Sequence, residues 1–101
     1  MDYSLCLDAA YVRVERELMT WETNVEIKLT ELNKQESGND PVLLYKASVR
    51  YFNKYKKAIC KSQYVAMLPD LTSAVALAKE CEIYISKDRI EKLKEFSEIS
   101  F

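Results

Sequence analysis

The chain of 101 residues holds a single glycine, Gly38, and that scarcity narrows the folds open to it. Tight hairpins, bulges and phosphate-cradling loops draw on glycine wherever the backbone must take a positive φ. Helices joined by few turns do not. The two prolines, Pro41 and Pro69, mark places where a helix must begin or stop. The expectation is an all-α fold.

Hydrophobic spacing places the helices. Ser37, Gly38, Asn39, Asp40 and Pro41 form the one plain break in the pattern. Before it, Leu7, Tyr11, Val14, Leu18, Trp21, Val25, Leu29 and Leu32 follow at steps of three and four. That is one helical stripe, close to a coiled-coil heptad. With Ser4 or Asp2 as cap, it predicts a helix over about residues 4–34, about 45 Å long. Val25 to Thr30 also alternates with period two, as a half-buried strand would. No turn or matching strand lies nearby, and the helix is the better reading.

After the break, Asp40 caps a second helix that starts at Pro41 and runs over about 41–63. Leu44, Ser48, Tyr51, Phe52, Tyr55, Ile59 and Gln63 share its broad, mostly apolar face. Pro69 and Asp70 open a third helix over about 69–85, with Leu71, Ala74, Leu77, Ala78, Cys81 and Ile85 on the buried side. Ser86 reads as the cap of a short fourth helix over about 87–97, carrying Ile90, Leu93 and Phe96 inward. The architecture expected for residues 1–101 is one helical domain. It is a three- or four-helix bundle built on a long antiparallel helical hairpin, its open side covered by the later helices. The first helix outruns the others. Part of its stripe is then covered by the later helices together or by a partner, and a homodimer through it is one such arrangement.

Few chemistries remain open. The chain has no histidine, the residue most often used as a general base near neutral pH. No metal-ligand spacing, phosphate loop or oxygen-ligand loop is present, so no catalytic residue, metal or cofactor is assigned. Cys6, Cys60 and Cys81 are odd in number and widely spaced, and read as buried free thiols of a reducing compartment. Cys60 lies beside Lys57 and Lys61, which could lower its thiol pKa, but no oriented base accompanies it. No stretch approaches the roughly 20 apolar residues that span a bilayer, and the N-terminus does not read as a secretory signal. A cytoplasmic protein is expected.

The most specific chemical feature is charge. Between Val42 and Tyr64 stand Lys46, Arg50, Lys54, Lys56, Lys57 and Lys61, with no acidic residue among them. All but Lys56 share one face within about 80° on a helical wheel, flanked by Tyr51 and Tyr55. The segment before the break carries eight acidic residues against four basic ones. The basic face could pair with that acidic helix, meet an acidic protein, or follow phosphates. The net charge of −1 argues against a surface tuned throughout to nucleic acid.

The functional expectation is a small helical protein-binding module of chaperone, inhibitor, immunity or adaptor type. Helix packing would give affinity, and Lys46, Arg50, Lys54, Lys57 and Lys61, with Tyr51 and Tyr55, would make the contact. The alternative is nucleic-acid binding through the same face. The aromatic C-terminus, Phe96 to Phe101, is expected to fold back on the core.

Overall fold

The computed structural model describes residues 2–32 and 40–101. They form three helices, α1 (Asp2–Leu32), α2 (Pro41–Met67) and α3 (Leu71–Ser97). There is no strand among the described residues; Val25 is fully buried in α1 while Ile27 is exposed, which is helical geometry. Ser4, a candidate cap, lies inside α1. The end of the first helix and the break at Ser37–Asn39 lie outside the described residues. Asp40 caps α2 as expected, accepting a hydrogen bond from the Val42 amide at 2.9 Å with Pro41 in the first turn. α2 continues to Met67, beyond the expected end at residue 63.

Asp70 caps α3, which starts at Leu71. Its carboxylate accepts from the Ser73 amide at 3.1 Å and the Ser73 hydroxyl at 2.8 Å, and these bonds hold its pKa below the usual carboxylate range. The expected third and fourth helices are one. Ser86 is no cap: it is fully buried in mid-helix, and its hydroxyl donates to Glu15 Oε1 at 3.0 Å. No turn residue interrupts the chain there, so the ladder runs through.

The order of contacts gives the topology. Glu15, Glu22 and Glu26 of α1 meet Lys56, Tyr45 and Lys46 of α2, so α2 descends beside α1. Tyr3, Glu15, Glu17 and Lys28 meet Glu80, Ser86, Lys94 and Ser97, so α3 ascends with α1. Packing is heaviest between α1 and α3 and nearly as heavy between α2 and α3, while α1 and α2 touch far less. α1 and α2 run antiparallel, and both lean mainly on α3. α3 is a full 27 residues and runs along the stripe of α1.

Every residue of the first-helix stripe is in the core or against it: Val14, Leu18, Val25 and Leu29 are buried, and Leu7, Tyr11, Trp21 and Leu32 pack on them. α3 buries Ala74, Cys81, Ile83, Ser86, Ile90 and Leu93; Leu71, expected inside, is exposed. The expected face of α2 is rotated, for Leu44, Tyr51 and Tyr55 are exposed and the helix buries Tyr45, Lys56 and Cys60 instead. Cys60 and Cys81 are not free thiols. Their Cα atoms stand 5.5 Å apart and a disulfide joins α2 to α3, leaving Cys6 free and exposed. The C-terminus folds back, with Phe101 5.8 Å from Phe96 and Lys28 donating to the Ser97 and Ile99 carbonyls. No helix among the described residues is long and apolar enough to cross a membrane.

Candidate interaction face

The charges of α2 divide by helical angle into one that points in and five that point out. Lys56, the basic residue left off the predicted stripe, is 4% exposed. Its ammonium donates to Glu15 Oε1 at 2.9 Å and to Ser86 Oγ at 3.3 Å, so one residue from each helix closes a polar triangle. Phe52 lies under that ammonium at 5.4 Å and under the Arg89 guanidinium at 5.1 Å. Periodicity could not find this cluster, because a lysine scores as surface and Glu15 lies 41 residues away in the chain.

Next to the triangle, Tyr45 donates its hydroxyl to the Glu22 carbonyl at 2.9 Å. Burial pushes the Tyr45 phenol up to about 12, and the Glu22 carboxylate adds to the rise. Burial also raises the Glu22 pKa, while Arg89 and Lys56 pull it back. Glu22 Oε2 and Arg89 Nε are buried and have no hydrogen-bond partner among the described residues. Glu22 and Tyr45 form the floor of a cleft where α1 and α2 part, its walls being Met19, Thr23 and Glu26 on one side and Lys46, Val49 and Arg50 on the other.

The outward face has a different character. Lys46, Arg50, Lys54, Lys57 and Lys61 are all exposed. Lys46 pairs with Glu26 at 3.8 Å across the cleft. The other four make no ion pair among the described residues, so the acidic first helix does not neutralise the stripe. The acids of α1 turn elsewhere: Glu15 to Lys56, Asp8 to Lys79 and Glu17 to Lys94. Tyr51 is 70% exposed. Tyr55, one turn on and about 40° further round the same flank, lies in a cleft with Tyr84, Ile85, Asp88 and Lys92 of α3. Five cations therefore form one surface with Tyr51 at its edge, and Tyr55 stands between that edge and α3.

Cys60 offers no thiol while the disulfide stands. Among the described residues, no cluster of three or more histidine, cysteine or acidic side chains is placed to hold a metal. Compared with protein-family models, with curated proteins and with solved structures, the chain finds no match.

Proposed function

We propose that this chain is a small helical protein-binding module whose basic face on α2 steers an acidic partner into place. One observation carries the reading: Arg50, Lys54, Lys57 and Lys61 are exposed and have no acidic partner among the described residues, in a chain with acid to spare. A row of like charges left unpaired raises the encounter rate with an oppositely charged surface and disfavours like-charged ones. Chaperone, inhibitor, immunity and adaptor roles all fit such a face. The core stripe of α1 cannot supply the affinity, since α3 covers it.

The test is a tagged pull-down from the source lysate, washed in rising salt, with both protein and nucleic acid assayed in the eluate. A stoichiometric protein band that survives high salt, and that Arg50→Glu/Lys54→Glu depletes, supports the module. Nucleic acid released at moderate salt with no protein band replaces it with phosphate binding, because phosphate contacts weaken steeply with salt.

A further inference from the structure

α1 carries a second apolar row, on its back. Leu5, Val12 and Met19 recur every seventh residue and are 64%, 51% and 65% exposed. They keep one line on the helix within about 40°. A seven-residue repeat of large apolar side chains facing solvent is costly surface for a chain of this size, unless something covers it. The row also has a charged neighbour. Met19 and Arg50 are walls of one cleft. The antiparallel pairings of Glu15 with Lys56 and of Glu22 with Tyr45 bring Val12 level with the turn between Lys57 and Lys61.

We propose that this shared face docks an amphipathic acidic helix of a partner protein. Its apolar row would seat on Leu5, Val12 and Met19, and its carboxylates would meet Arg50, Lys57 and Lys61. The assignment rests on the protein-binding reading above and names its surface and partner chemistry. Lengths agree, since Leu5 to Met19 and Lys46 to Lys61 each span about 20 Å of helix. Charge selects the occupant. An apolar row with cations along one flank complements a helix with apolar positions and carboxylates along one flank. Along the row the far flank of α1 mixes Arg13 and Arg16 with Glu17, whereas a bilayer-binding face is basic on its polar side as a whole. Phosphates gain nothing from leucine, valine and methionine. In a second copy, Glu15, Glu17 and Glu26 of α1 are already paired within their own bundle.

The probe is a displayed library of helices about 24 residues long, with leucines fixed at heptad spacing and flanking positions drawn from Glu, Lys and Ser. Selected binders should carry Glu along one flank. Their affinity should fall at least about tenfold on Val12→Asp/Met19→Asp and again on Arg50→Glu/Lys57→Glu. All four positions are exposed, so an unchanged unfolding midpoint separates a lost surface from a lost fold. The assignment is overturned if selection shows no preference for acid or if Val12→Asp/Met19→Asp leaves affinity unchanged. It is equally overturned if the same substitutions abolish self-association or binding to phosphatidylserine vesicles rather than to helices. A salt-resistant partner band that survives Val12→Asp/Met19→Asp would sink this face and leave the module standing, whereas no band at all would sink the module.

Discussion

At the scale of single residues, the interior of this bundle is decided by polar groups as much as by apolar ones. Tyr45 is the clearest probe. Its folded pKa, about 12 against an ordinary 10, means that the folded chain holds that proton longer than the unfolded chain. Stability linked to it is complete below pH 10 and is lost as pH climbs through 12. An alkaline titration followed by tyrosinate absorbance should show a late step near 12 that disappears in Tyr45→Phe. The same variant should lose about 1 kcal/mol with the bond to the Glu22 carbonyl. Lys56 gives the second expectation. Lys56→Met strips the partner from Glu15, which keeps some access to water, and should cost about 2 to 3 kcal/mol in denaturant unfolding. Adding Glu15→Leu should recover most of that loss, because removing both charges removes the uncompensated one. None of this was legible in the chain. Apolar spacing located the four core positions of α1 and the four that pack on them, but a charge pair 41 residues apart leaves no local mark.

Among the helices, capping chemistry was the most readable signal and mid-helix serine the most misleading. Asp40 with Pro41 and Pro69 with Asp70 announced two starts, and the aspartates make those caps. Asp40→Ala should lower stability by about 1 kcal/mol, moving the thermal midpoint by about 4 to 8 °C in a chain of this size. A calorimetric midpoint unchanged by that substitution would show the cap to be idle. Ser86 has the composition of a cap and the position of a core residue, and only the partner on α1 distinguishes them. The rotation of the α2 face has the same origin. Its tyrosines and leucines outnumber the groups it buries, so hydropathy points at Tyr51 and Tyr55, while Lys56 and Cys60 take the inside. The basic stripe was legible because helical angle alone sets it. Its want of acidic partners within the described chain was not.

For the molecule as a whole, the extents of 53 × 23 × 15 Å describe a short rod with α3 as its shared support. The Cys60–Cys81 bridge closes a loop of sequence separation 21 between α2 and α3. By loop closure it should contribute about 3 kcal/mol. Reduction, or Cys60→Ser/Cys81→Ser, should therefore lower the unfolding midpoint well beyond what a surface double substitution does. A midpoint indifferent to reductant would mean the bridge constrains little. The bridge also removes the argument from free thiols for a reducing compartment, since disulfides persist chiefly in oxidising ones.

The uneven way in which α2 is attached has a consequence in time. Its fully buried groups are a tyrosine, a lysine and half of a disulfide, while Val42, Val49 and Phe52 pack against the core only partly buried. Amide hydrogen exchange should then be graded by helix. With the bridge closed, α2 would exchange along with global unfolding; with the bridge open, its amides beyond Lys56 would be the first to lose protection while α1 and α3 keep theirs. The surface that bears the cations would then be the one whose order depends on redox state, and protection factors measured with and without reductant read that dependence directly.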